Sequence, residues 1–224
     1  MQRNTKRNFT ITDTLFILFS VFTLLVMFVD VRAIGPYGSS VGLAGVNQYV
    51  WNITGVNMIW YHITDWLGFA GIFTALGFSV LGLIQLIKRK SLKKVDADIY
   101  ILGAFYILVI ALYCFFETFI VNYRPVLING YLEASYPSTH TMIICSIMGT
   151  AILQWRDRIH NKPLQITLIV LSIAVIFITV AGRLISGVHW FSDIIGGLFL
   201  SGALVMLYYS CVRLAKDKHH TSSI

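Results

Sequence analysis

Six long apolar runs dominate this sequence, at residues 12–29, 66–87, 99–121, 139–155, 165–181 and 190–212. Each approaches the ~20 residues that a helix needs to cross ~30 Å of hydrocarbon. In that medium every backbone N–H and C=O must be satisfied within its own segment, and for runs of this length that means helices. Composition agrees: 57% of the 224 residues are hydrophobic and 12% are charged, against about 25% charged in an ordinary soluble domain. The expected fold is therefore all-α, a polytopic membrane helix bundle of six transmembrane helices forming one domain over residues 1–224. The first run follows the basic start MQRNTKR, as a signal peptide would. Its apolar core is too long for that, and no small-x-small cleavage site follows, so it is read as a retained helix.

The basic residues orient the bundle. With the N-terminus inside, the cytoplasmic segments hold 14 of the 17 Lys and Arg, and the outer face keeps only Arg32, Arg124 and Arg183. This asymmetry places both termini in the cytoplasm. It also accounts for the net charge of +7 without a nucleic-acid partner, as a topology signal with some attraction to anionic lipid.

The longest connection, residues 30–65, lies on the outer side. It is rich in glycine at first, and then in aromatics typical of a headgroup boundary: Tyr49, Trp51, Trp60, Tyr61, with Trp66 beyond. It is either a short interfacial helix or re-entrant turn covering a site, or a plain tether. His62 within it reads as structural. Asp13 is expected in the first turn of the first helix, where a carboxylate suits the helix dipole. Gly68, Gly71, Gly77 and Gly82 invite close approach of a neighbouring helix. Asp96 and Asp98 mimic a metal-binding D-x-D pair but read better as helix-start charges. Cys114, Cys145 and Cys211 fall within apolar runs and read as filler. His219 and His220 are adjacent rather than at ligand spacing, so no metal is assigned there.

The chemistry gathers elsewhere. Residues 182–193, GRLISGVHWFSD, hold an arginine, a histidine and an aspartate between two apolar runs. On a helix His189 and Asp193 share a face one turn apart, so the carboxylate can hold one imidazole nitrogen and leave the other free. Arg183 adds a permanently charged fork suited to phosphate or carboxylate. The third run ends at Arg124-Pro125, where proline disfavours helix in the residue before it. At 136–140 the stretch YPSTH offers Ser138 as an N-cap and His140 in the first turn, a place where free N–H groups favour an anion. By topology Arg124, Ser138, His140, Arg183, His189 and Asp193 all reach the outer boundary, and they include two of its three basic residues.

These stretches resemble the three motifs of the type-2 phosphatidic acid phosphatase superfamily of integral-membrane lipid phosphatases, K-x6-R-P, P-S-G-H and S-R-x5-H-x3-D. Here they read Glu117-x6-Arg124-Pro125, Pro137-Ser138-Thr139-His140 and Gly182-Arg183-x5-His189-x3-Asp193. The resemblance implies a metal-independent enzyme, without cofactor, acting on a lipid phosphate or diphosphate. Undecaprenyl diphosphate and a phosphatidylglycerophosphate- or phosphatidate-like lipid are the substrates it suggests. It implies His189 as nucleophile forming a phosphohistidine, Asp193 as its orienter and His140 as acid and then base. Arg124, Ser138, Thr139 and Arg183 would bind the phosphoryl oxygens, in a cell membrane with the site facing outward. Gly182 and Thr139 depart mildly from the motifs. Glu117 reverses the charge of the family's lysine and would either pair with Arg124 or Arg183, or donate to substrate when protonated. The alternatives are a phosphotransferase on the same site and a non-catalytic protein that binds or transports lipid phosphates.

Overall fold

The computed structural model describes residues 2–221, and their side chains apart from those of 2, 3, 93 and 219–221. His219 and His220 thus lie outside the described side chains. Seven helices follow in order: α1 (Gln2–Phe28), α2 (Ala44–Thr54), α3 (Met58–Arg89), α4 (Ala97–Thr118), α5 (Thr139–Arg158), α6 (Lys162–Ile185) and α7 (Phe191–Thr221). Between the helices, pairing among the described residues is limited to three isolated β-bridges. The all-α expectation holds.

Five helices, α1, α3, α4, α6 and α7, are long and apolar enough to cross a membrane. The expected sixth, α5, is not. Its position explains the difference, since it packs against α3, α4, α6 and α7. A helix enclosed by protein presents little surface to lipid, so nothing requires it to be apolar throughout. Thr141, Ser146, Thr150 and Gln154 are all buried along it. The Thr150 hydroxyl donates to the Ser146 carbonyl of its own helix at 2.9 Å, which satisfies it without water. The lipid-exposed apolar load falls instead on side chains such as Leu24, Phe73 and Phe177.

The helix bounds depart from the apolar runs at two informative places. Helix α1 begins ten residues before its apolar run, so Asp13 is an exposed mid-helix residue rather than a first-turn charge. Helix α3 begins at Met58, where the Asn57 side chain accepts from the N–H groups of Ile59 and Trp60 at 3.1 and 3.3 Å. The last residues of the expected outer loop, Asp65 among them, are therefore helical. The aromatic middle of that loop forms α2, which favours the covering helix over the tether.

The basic end of the bundle is tied by polar contacts. The Thr5 hydroxyl donates to Asp217 at 2.6 Å, and Thr12 and Ser210 share a hydrogen bond at 3.1 Å, so α1 and α7 run antiparallel with their termini together. Arg158 at the end of α5 meets Asp96 at 3.1 Å and Asp98 at 2.7 Å, while Arg89 meets Asp96 at 2.7 Å. Both aspartates are thus structural helix-start charges. These guanidinium contacts hold the Asp96 carboxyl below the usual carboxylate range, Arg89 first. Of the four α3 glycines, Gly71 faces Ile144 and Gly82 faces Ile99, while Gly68 and Gly77 face open space. The segments 119–138 and 186–190, together with α2, lie at the other end.

Replacing Arg158 by Ala strands the Asp98 carboxylate, which is only 16% exposed. We expect a loss of about 2 kcal/mol, between the limits for surface and buried pairs. Arg89→Ala should lose under about 1 kcal/mol because that pair is solvated. Thermal unfolding in detergent checks the order.

Candidate active site

The residues that matter converge at the end away from the basic termini. Asp193 is their centre, fully buried in the first turn of α7. One carboxylate oxygen accepts the Trp190 N–H at 2.9 Å, which caps the helix start, and the other faces the Asn122 amide at 3.4 Å. Its backbone carbonyl accepts the Ser138 N–H at 2.9 Å. His189 Nδ1 lies 3.7 Å from the same carboxylate. The expectation of a shared helical face is corrected here: α7 starts at Phe191, so His189 precedes the helix and meets Asp193 around a turn.

The His189 turn is built by close backbone approach. Gly187 has φ +64°, and a Cβ there would run into the Gly55 carbonyl, so glycine is needed on both counts. The carbonyl of Gly187 accepts from the Trp51 indole at 3.1 Å, and the Ser186 carbonyl accepts from the Asn57 N–H at 3.0 Å. Asn47 of α2 exchanges hydrogen bonds with Ser192, each at 2.9 Å. Helix α2 is therefore stitched to the turn that carries His189.

Arg124 lies six residues beyond the end of α4, in a segment that folds back on itself with Tyr123 bridged to Ala134. Its Nε pairs with Glu133 at 3.0 Å, and its Nη1 reaches His189 Nε2 at 3.3 Å. A guanidinium only donates, so Nε2 presents its lone pair and the proton sits on Nδ1 toward Asp193. Burial, then the charges of Arg124 and Arg183 and the nearby His140, hold His189 well below the usual imidazole range. It is a neutral imidazole with Nε2 aimed into the site.

Arg183 is fully buried. Its Nη2 meets Asp65 Oδ1 at 2.5 Å, and its guanidinium lies 5.0 Å from the Tyr61 ring centroid. Its Nε and Nη1, the Nδ1 of His140 and that of His189 are buried without a hydrogen bond. His140 Nε2 meets the same Asp65 oxygen at 3.0 Å. Ser138 stands at the N-cap of α5 but does not cap it; its hydroxyl accepts from Thr141 at 3.1 Å. Thr139 is half-buried beside it. The side chains of His140, Asp65 and Glu133 are 32%, 39% and 41% exposed, so the pocket opens on their side.

Residues 117–217 match the model of the PAP2 superfamily. Through this segment the chain resembles that superfamily. In overall fold it is similar to the crystal structure of the first transmembrane PAP2 type phosphatidylglycerolphosphate phosphatase from Bacillus subtilis. The TM-score is 0.57 at 16% identity, covering 92% of this chain and 96% of that one. No curated protein matches the chain in sequence.

Against the PAP2 motifs, the structure gathers Arg124, Ser138, Thr139, His140, Arg183, His189 and Asp193 at one end of the bundle. It leaves Glu117 apart. That side chain is exposed in the last turn of α4 and makes no ion pair among the described residues. The expected pairing of Glu117 with Arg124 or Arg183 is replaced by Glu133 and Asp65. Sequence reading missed both of these carboxylates. Asp65 could have been found as an acid next to an apolar run with an arginine to match; Glu133 carried no such signal. Gly182 has a steric explanation, because a Cβ there would press on Thr64 and Trp60 of α3.

Gly187→Ala should cost about 2–4 kcal/mol, through a positive φ and a collision with backbone. Thermal unfolding measures this, with Gly68→Ala, which faces open space, as the control.

Proposed function

We propose that this protein is a metal-independent phosphatase acting on a lipid phosphate or diphosphate in the outer leaflet. The observation that carries the reading is the convergence of two buried arginines and two histidines on one pocket, with Nε2 of His189 facing Arg124. Such a pocket suits a phosphoryl group approached by an imidazole.

In the first step His189 Nε2 attacks phosphorus while the P–O bond to the leaving group breaks, its electrons going to oxygen. His140 protonates that oxygen. Asp193 holds the Nδ1 proton and balances the charge that the ring gains as phosphohistidine. Arg124, Arg183 and the residues Ser138 and Thr139 at the start of α5 hold the phosphoryl oxygens while negative charge spreads over them. In the second step His140 takes a proton from water, which attacks phosphorus; the P–N bond breaks and phosphate leaves. Imidazole and guanidinium together provide the nucleophile and the charge, so no metal or cofactor has a role to fill.

The basic end of the bundle supports a pocket facing the extracytoplasmic side of a cell membrane, with α5 read as a sixth span inside its ring of neighbours. Undecaprenyl diphosphate and phosphatidylglycerophosphate- or phosphatidate-like lipids are the substrates the family suggests. Glu117, exposed on α4 below Arg124, meets the lipid as it enters and tunes headgroup preference.

Purified protein should release phosphate from a lipid phosphate or diphosphate with and without chelator, and His189→Ala should lower kcat at least about 1,000-fold. A phosphoprotein stable in base and labile in acid should accumulate in His140→Ala. A His189→Ala variant as active as the parent would end the reading, and retained lipid binding without turnover in the parent would favour a binding or transport protein. Transfer of phosphate to an added alcohol in preference to water would mark a phosphotransferase. Glu117→Gln should lower activity per folded molecule.

A further inference from the structure

Outside the three motifs, one residue touches two members of the pocket at once. Asp65 Oδ1 lies 3.0 Å from His140 Nε2 and 2.5 Å from Arg183 Nη2. It belongs to α3, beyond the residues 117–217 that match the family. We propose that Asp65 is the positioning carboxylate of His140, making with it a second histidine–carboxylate pair across the pocket from His189–Asp193.

The two pairs are arranged oppositely. His189 turns Nδ1 to its carboxylate and Nε2 to the pocket. His140 turns Nε2 to its carboxylate and keeps Nδ1 buried without a hydrogen bond. A carboxylate at Nε2 keeps a proton on that nitrogen and stabilises the imidazolium. His140 then gives the Nδ1 proton to the leaving oxygen in the first step and recovers one there from water in the second. Asp65 acts through His140 and does not itself touch phosphorus. It also need not leave Arg183 when a phosphoryl group arrives, because Nε and Nη1 of that guanidinium have no partner.

The approach of α3 that makes this possible is built into the packing. Tyr61, four residues before Asp65, lies over the Arg183 guanidinium, so one face of α3 holds the arginine twice. The Cβ-free Gly182 admits Thr64 and Trp60 against α6. The serine that the family motif has at this position would push α3 outward, so Gly182 and Asp65 form one adaptation.

This assignment rests on the phosphatase reading for its kinetic consequence, but not for its structural test. In lipid phosphate hydrolysis, Asp65→Asn should lower kcat about 10- to 100-fold while KM changes less than about threefold. Activity should fall as pH rises through the His140 pKa, because the acid must be protonated. Losing the carboxylate destabilises the imidazolium, so this alkaline limb should move to lower pH by about one unit. Asp65→Glu should recover part of the rate, and adding Asp65→Asn to His140→Ala should lower kcat by much less than Asp65→Asn does in the parent, the remainder reflecting its contact with Arg183. Independently of turnover, ¹⁵N NMR of histidine-labelled protein in nanodiscs should show the His140 ring, identified by its loss in His140→Ala, titrating lower in Asp65→Asn and in Gly182→Ser than in the parent. An inactive parent that still shows this NMR shift would overturn the phosphatase reading and leave the pairing intact. An unmoved His140 titration, or additive losses in the double variant, would overturn the pairing itself.

Discussion

A carboxylate sealed from solvent at the start of α7 organises everything around it. An unpaired charge in that position would cost several kcal/mol, and Asp193 avoids this by recruiting partners from separate parts of the chain. Its side chain takes the Trp190 N–H and faces Asn122, and its main chain receives Ser138. The same set of contacts fixes where α7 begins, how the 119–138 segment returns, and where α5 enters. His189 comes to its place as a consequence of this arrangement.

The cations obey the same constraint. Arg124 and Arg183 are both buried, and each is matched by a carboxylate that is more than a third exposed, Glu133 and Asp65. The pocket thus has a sealed side that holds the guanidinium groups and the His189–Asp193 pair, and an open side of acids with His140. This division means that the field in the pocket depends on residues from α3 and from the 119–138 segment as well as on the recognisable motifs.

Helix α5 shows how position overrides composition. Its Ser, Thr and Gln residues would be unfavourable facing lipid, yet it stands among four other helices, where Thr150 bonds its own helix and Gln154 bonds Tyr208 of α7. The ring around it supplies the apolar exterior. Buried polar residues can therefore line a helix that faces protein rather than lipid, and that helix begins at the pocket with Ser138 and His140.

Hydropathy alone was enough to show a helical membrane bundle, because lipid tolerates few other folds and the apolar runs are long. The spacing of Arg183, His189 and Asp193, with Arg124 and His140, was enough to anticipate that these residues meet at one end of the bundle. Those inferences depend on local patterns. Of the arginines' partners, Asp65 had only its place beside an apolar run to mark it, and Glu133 had no such signal. Glu117 stands where the motif has its lysine, and nothing in its spacing from Arg124 excludes a pair between them. The closing contacts to Asp65 and Glu133 depend instead on where α3 begins and how the 119–138 segment turns back. Only tertiary packing decided these, through the Cβ-free approach at Gly182, the left-handed Gly187 turn and the requirement that a buried guanidinium find a carboxylate within reach.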